Sequence, residues 1–229
     1  MFLLKRFSIL LIMAAVLVSI VPAQNRESTI EETYLRETME VMIITQTARM
    51  NTRDQKQLAL DYIGNALERG NTNDEIRETL VYLANEGRRS VARENNRVVN
   101  NFPDVRRQAV RYLGQIGTEE ARLSLIDVIR FENEPMVIQE AIKSLGDIGV
   151  NVNNDTADII SLIMDRYTNL NPDNMMALAT IDAFEKIAKQ NNGLNSQAAV
   201  RTLLLITEGH YLTPVKERAR QLLAALRSY

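Results

Sequence analysis

The residues able to do chemistry are few. The single histidine, His210, stands in the turn Gly209-His210-Tyr211, and the 229 residues contain no cysteine. One imidazole can serve as a general base, but no Ser or Cys nucleophile is tied to His210 by any motif. Without Cys there is no thiolate nucleophile, thiolate metal site or disulfide. H-E-x-x-H, G-x-G-x-x-G and phosphate-loop patterns are absent. Glu31-Glu32 and Glu119-Glu120 are adjacent carboxylates. On a helix such neighbours point about 100° apart and do not converge as an acid–base couple. Glu119-Glu120 suits the positive end of a helix dipole instead. The Asn and Asp residues between Asp147 and Asp158 miss the calcium-loop spacing. These observations assign no catalytic residue, no cofactor and no metal ligand, and the chain is expected not to be an enzyme.

Arginine is the anomaly. Arg88, Arg89, Arg93, Arg97, Arg106, Arg107 and Arg111 place seven guanidinium groups within 24 residues. A planar guanidinium grips carboxylates through two parallel hydrogen bonds. Two readings follow. One is a solvated face with local pairs to Glu86, Glu94 and Asp104. The other, taken here as the candidate binding site, is a docking patch of these seven residues for an acidic protein or an anionic envelope polymer. General affinity for nucleic acid is not expected, because the formal charge is −2 and such affinity needs a basic field.

The elements that must position these arginines are repeated. Pro103-Asp104-Val105 through Ala109, Leu113-Gly114 and Ile116-Gly117 returns 32 residues later as Pro135-Met136-Val137 through Ala141, Leu145-Gly146 and Ile148-Gly149. Val105, Ala109, Leu113 and Ile116 lie on one helix face. Pro suits the first helical position and Gly the end. The mid-pattern Gly114 and Gly146 each cost about 1 kcal/mol against Ala, so their recurrence predicts close helix packing. A second helix follows each first one: Glu119–Phe131 behind a Thr118 cap, and one capped by Asp155 that carries Ile159, Ile160, Ile163 and Met164. The pattern Pro103-Asp104-Val105-Arg106, Ala109, Leu113-Gly114 resembles the HEAT repeat, in the short HEAT-like form of phycobiliprotein lyases. That resemblance implies an all-α, right-handed α-solenoid of about four to five stacked helix pairs, an ARM-type superhelix. It does not imply lyase activity.

The rest of the chain extends the pattern. Residues 54–69 hold a divergent copy, in which Ala59 aligns with Ala109, and Glu75–Glu86 is its partner helix. Residues 88–102 interrupt the rhythm and read as an inserted short helix with an Asn-rich end. Asn171 as cap and Pro172 at the first position begin another pair, with Ile181, Phe184, Ile187 and Ala188 inward and Ser196–Glu208 as its second helix. A last copy from Thr213 has no partner. At the other end, Tyr34–Met50 reads as an end helix whose Met39, Met42 and Met50 pack into the core, the alternative being an adaptable binding face. Residues 24–33 read as a flexible linker. Residues 1–23 read as a secretory signal peptide: Lys5-Arg6, an apolar run over Phe7–Val21, and Val21-Pro22-Ala23 before cleavage. Removing Lys5 and Arg6 leaves 25 basic against 29 acidic residues. The resulting expectation is an exported scaffold, in a bacterial periplasm, that binds another protein on the solenoid from residue 34 to 229. The alternative is an enzyme or chaperone-like lyase acting in the solenoid groove.

Overall fold

The computed structural model of the chain describes residues 29–228 apart from Ser90 and Asn171. The leader with its cleavage point at Ala23, most of the linker and the Asn171 cap lie outside the described residues. The chain divides into two units, Met1–Met39 and Glu40–Tyr229. In the first, Thr29 and Glu32 form a reciprocal cap: the Glu32 N–H donates to the Thr29 hydroxyl at 3.2 Å, and the Thr29 N–H to the Glu32 carboxylate at 3.3 Å. The helix they open starts at Ile30, inside the stretch expected to be linker.

Ten α-helices stand among the described residues. After α1 (Ile30–Arg49) come the pairs α2 (Arg53–Glu68) with α3 (Asp74–Ala84), and α4 (Pro103–Ile116) with α5 (Glu119–Phe131). Two more follow, α6 (Pro135–Ile148) with α7 (Asp155–Leu170) and α8 (Asn174–Gln190) with α9 (Gln197–Glu208), before the lone α10 (Thr213–Leu226). This is an α-solenoid of four complete pairs. Side chains cap the starts as their types require: Thr52 with Gln55 in a capping box, Asn73, Thr118, Asp173 and Ser196. Gly117 and Gly149 end α4 and α6 in the left-handed conformation, at φ 69° and 71°.

The inward stripe is where the repeat puts it. Val105, Ala109 and Leu113 on α4, and Val137, Ala141 and Leu145 on α6, are buried. First helices stack in a row, α4 on α6 and α6 on α8. The recurring glycines allow the approach. A Cβ on Gly114 would lie 2.6 Å from the Ser144 side chain, and one on Gly146 2.6 Å from the Ala183 Cα. The Ser144 hydroxyl donates to the Val110 carbonyl at 3.2 Å across the same contact.

Three expectations change. Residues 88–102 form no helix. They hold an antiparallel hairpin of β1 (Arg93–Glu94) and β2 (Arg97–Val98), with Arg93 opposite Val98 and Glu94 opposite Arg97. Asn95 and Asn96 both take positive φ, 47° and 64°, as a two-residue turn matched to strand twist demands, and Asn tolerates that region. The end-helix methionines Met39, Met42 and Met50 are exposed, while α1 buries Ile44, Thr47 and Ala48, because the helix turns a different face inward. Finally, the caps of α7 and α8 are not the expected residues. Asp155 is the first residue of α7, with the Asn151 side chain accepting from the Ala157 N–H at 3.1 Å. Pro172 precedes the true cap of α8, Asp173.

Two outcomes test this packing. Leu113→Ala and Leu145→Ala should each lose about 2–5 kcal/mol in denaturant melts, as buried large-to-small changes do. Gly146→Ala should also destabilise, by about 1–3 kcal/mol of overpacking. An exposed helix site would instead gain about 1 kcal/mol from the same change, so the sign alone decides.

Candidate functional site: the arginine segment and its edge

In an array of antiparallel pairs, all connections leading to a first helix fall on one edge, and the turns within pairs fall on the other. Among the described residues the first edge holds 50–52, 85–89, 91–102, 132–134, 172–173 and 209–212. The arginine segment lies here, and most of its charge is committed to the chain itself.

Arg106 is 1% exposed, as is Glu132 at the end of α5. The Arg106 Nε donates to Glu132 Oε2 at 2.7 Å, and its Nη1 donates to the Asn101 side chain at 2.8 Å and the Glu86 carbonyl at 3.2 Å. Glu132 Oε1 also accepts from Arg88 Nη2 at 2.9 Å and from the backbone N–H groups of Asn133 and Glu134 at 2.8 and 2.9 Å. Burial pushes the Glu132 carboxyl up, but the Arg106 hydrogen bond, the Glu134 N–H and Arg88 outweigh it and hold the group below its ordinary 4.5. Arg106 therefore cannot meet a partner, and Arg88 is spent on the same carboxylate.

The preceding pair carries a matching arrangement. Lys56, 1% exposed, lies 3.0 Å from Glu86 Oε2 as an ion pair and donates to the Ala48 carbonyl at 2.9 Å. Its ammonium sits 5.1 Å from the Tyr82 ring centre. Glu86 Oε1 accepts from the Asn100 amide at 2.7 Å, and Asn100 Oδ1 accepts from the Ala92 N–H at 2.9 Å, so the hairpin base is anchored. Gly87 lets Asn100 approach: at φ +70° it has no Cβ to meet the Asn100 carbonyl, which would lie 2.4 Å away.

The other arginines divide. Arg107 and Arg111 reach from α4 to Glu140 of α6, with Nε donating at 3.0 and 2.8 Å. Burial raises the Glu140 carboxyl, and the two guanidiniums together bring it below 4.5. Arg89 pairs with Asp127 at 2.6 Å and lies 4.8 Å from the Phe131 ring centre. Arg93 donates only to the Asn96 carbonyl, at 3.4 Å. Among the described residues neither Arg93 nor Arg97 has a carboxylate partner. The carboxylates expected as local partners behave otherwise: Asp104 pairs with Arg53 of α2, and the Glu94 side chain is exposed. His210 is an exposed turn residue. Glu119 does more than face the helix dipole. It grips Arg122, itself 1% exposed, at 2.6 Å, and Arg122 also reaches Asp155 at 2.8 Å.

Lys56, Glu132, Glu140 and Arg122 escaped the sequence reading, and Glu86, expected to pair with an arginine, pairs with Lys56 instead. A signal for two of them was present. Aligning Ala59 with Ala109 sets Lys56 on Arg106, and the third copy has buried Ile138 at the same inward place. A charged residue there must have a partner, and Glu86 and Glu132 stand at matching second-helix ends.

The architecture defines a helical-repeat solenoid. The family model of HEAT repeats matches residues 97–169, which hold α4 to α6 and most of α7, and the fold over the described residues is a HEAT-like α-solenoid. No curated protein is similar to it in sequence. Among solved structures it resembles the complex of CpcE and CpcF of phycocyanin lyase from Nostoc sp. PCC7120 at 15% identity and a TM-score of 0.56, covering 82% of this chain and 65% of that one. The expectation that the chain is not an enzyme is overturned by this likeness: the same fold serves a lyase, so the lack of a familiar catalytic motif excludes nothing.

The Glu132 cluster predicts an acid-sensitive stability. A carboxyl held below 4.5 contributes stability that is present above that value and is lost as pH falls through the lower folded value. Glu132→Gln should cost about 3–5 kcal/mol near neutrality, because it leaves Arg106 buried without its counter-charge. It should also flatten the stability loss below pH 4.5. Urea melts at a series of pH values read both effects.

Proposed function

We propose that the chain is exported and binds an acidic partner protein through the hairpin on its connection edge. The observation that carries this is the contrast within the arginine segment. Arg88, Arg89, Arg106, Arg107 and Arg111 are held by Glu132, Asp127 and Glu140, whereas Arg93 and Arg97 are exposed on the hairpin without a carboxylate. A guanidinium pair standing clear of the array can take carboxylates from another chain at little desolvation cost. HEAT repeats, and a fold neighbour whose solved form is a complex of two proteins, support binding as what the array contributes. A lyase-type role is the second reading; it rests on the fold shared with the phycocyanin lyase. It requires turnover, so repeated release of an altered partner by substoichiometric chain would favour it.

The test is capture from the envelope fraction, with partners identified by mass spectrometry. Arg93→Ser/Arg97→Ser should leave the melting temperature unchanged within about 1 °C, because exposed charges contribute little to stability. It should weaken capture of an acidic partner by about tenfold, and raised salt should mimic the loss. Equal capture by the double variant at low salt would remove the reading.

Export is proposed on the order Lys5-Arg6, apolar run, Val21-Pro22-Ala23. N-terminal sequencing of the protein from cells should begin at or near Gln24; an intact N-terminus would point to a retained anchor. No helix among the described residues is long and apolar enough to cross a membrane.

A further inference from the structure

One contact between neighbouring helices leaves opposite charges without partners. All four contacts between successive first helices carry an ion pair: Arg53 with Asp104, Arg107 and Arg111 with Glu140, Lys186 with Asp147, and Arg218 with Asp182 and Glu185. The second helices α5 and α7 are joined by Arg122 and Asp155. Where residues 40–49 of α1 meet α3, the charges stand apart. Arg49, the last residue of α1, and Glu75, the second of α3, line one cleft, yet among the described residues neither makes an ion pair or a side-chain hydrogen bond. Glu78, in the same cleft, lies 3.8 Å from Arg77, its own neighbour in the chain. Exposed arginines such as Arg130 and Arg166 also lack a carboxylate. Arg49 differs from them in sharing a cavity with a carboxylate that is itself unpaired.

The cleft has a volume of about 220 Å³ and is lined by Thr45, Arg49, Glu75, Glu78, Thr79 and Tyr82. Thr45 and Arg49 are four residues apart on α1, and Glu75, Glu78, Thr79 and Tyr82 recur at three and four on α3, so each set lies on one helix face. The floor is fixed. The Thr45 and Thr79 hydroxyl oxygens lie 3.2 Å apart across the contact. Thr79 spends its proton on the Glu75 carbonyl at 2.8 Å, so Thr45 donates to Thr79. The Thr45 oxygen then has no proton left and offers only lone pairs. With the Glu75 and Glu78 carboxylates it makes three acceptor groups. Arg49 is the obligate donor, and the Tyr82 hydroxyl can serve either way. Lys56, 5.1 Å from the Tyr82 ring centre, is already paired with Glu86 and does not neutralise the cleft.

These groups define the ligand. Arg49 supplies +1 against −2 from Glu75 and Glu78, a balance of −1. A guanidinium grips a carboxylate through two parallel hydrogen bonds, and ammonium groups need the acceptors that the rest of the lining supplies. A ligand with one carboxylate and two cationic groups matches both the donors and the charge. The volume is below the roughly 300–1,000 Å³ of sites for drug-sized ligands and suits a single amino acid. We infer that the cleft between α1 and α3 binds a free basic amino acid of the lysine or arginine type, with its carboxylate on Arg49 and its cationic groups on Glu75, Glu78 and Thr45. The inference goes beyond the partner role proposed above and does not depend on it, because none of the lining residues belongs to the hairpin.

The test is isothermal titration calorimetry of L-lysine and L-arginine into the whole chain. At least one should bind with a Kd of about 1 mM or tighter. L-Lysinamide lacks the carboxylate and L-norleucine the side-chain ammonium. Each should bind at least about tenfold more weakly, as loss of a hydrogen bond to a charged group requires, and L-glutamate should not bind. Arg49→Gln should weaken lysine by a similar factor but not lysinamide, and Glu75→Gln/Glu78→Gln should abolish both. All three positions are exposed, so melting curves without ligand should not move. A lowered melting temperature for Arg49→Gln would mean that its charge is paired within the chain, and the inference fails. It fails too if neither amino acid binds, if lysinamide or glutamate binds as well as lysine, or if Arg49→Gln binds lysine normally. Arg93→Ser/Arg97→Ser should bind lysine normally, which tells loss of this site from loss of the hairpin's partner. A hairpin variant that loses lysine would put the ligand elsewhere and overturn the inference.

Discussion

The approach of one first helix to the next is the constraint on which the other features hang. Gly146 against Ala183 and Gly114 against Ser144 bring backbones together where any side chain would force them apart. At that spacing Ser144 reaches the Val110 carbonyl, and Glu140 falls within reach of both Arg107 and Arg111. The connections at the helix ends are carried along, because a connection two or three residues long cannot drift from the helices it joins. Solenoid stability is nearly a sum of neighbour terms, so the error made by one bulky residue at such a contact would be felt at that interface and would displace everything stacked beyond it. The first interface is looser: the Tyr112 hydroxyl, a side-chain tip, fills the space over Gly64.

Against that apolar stack, the buried ions need a reason. Moving a guanidinium or ammonium out of water costs several kcal/mol, and an apolar substitute often does as well. The third pair makes that substitution, with Ile138 where Lys56 and Arg106 stand. What distinguishes the first two pairs is the long connection between them. Closing a longer loop adds little entropy, because the cost grows only with the logarithm of length. Fixing the loop in one place is the harder task. Glu86 binds Lys56 on one side and, through its carbonyl, Arg106 on the other, while Asn100 hangs from its second oxygen. The charges hold the hairpin at its base, and its tip can project without loosening the array.

How much of this was legible in the sequence follows from the same physics. Helix pairs, the cap at Thr118, and the inward Val-Ala-Leu stripe were readable, because they depend on local periodicity and on side chains that bond within one turn. The hairpin was not. Asn95-Asn96 between short runs is a turn signal, yet the flanking arginines have no strand preference to declare. The arginine patch failed for a different reason. Arg106, Arg107 and Arg111 find their carboxylates on other helices, Glu132 and Glu140, 26 to 33 residues away, and composition cannot separate a charge pointing into a pair from one pointing out of it. Repeat register could have separated them, since Arg106 aligns with an inward isoleucine.

That separation bears on where a solenoid can place function. Its stacked faces are bound by neighbour packing, and its terminal helix α10 turns Glu217, Arg220 and Gln221 outward as a polar cap. The connections are the one place where residues can be added without touching the core. Here the longest described connection carries two arginines that lack a carboxylate, and the short ones beside it carry Phe131, Met136, Met175 and Leu212 in solvent. None of these exposed side chains is needed for a cap or a staple: the bonds between connections use Asn133, Gln139, Asp173 and Asn174, and polar residues at the exposed positions would hold the fold as well. Apolar and basic character at these positions is therefore a part of the sequence that the architecture leaves unexplained, and it sits on an edge where a partner can be met without disturbing the stack.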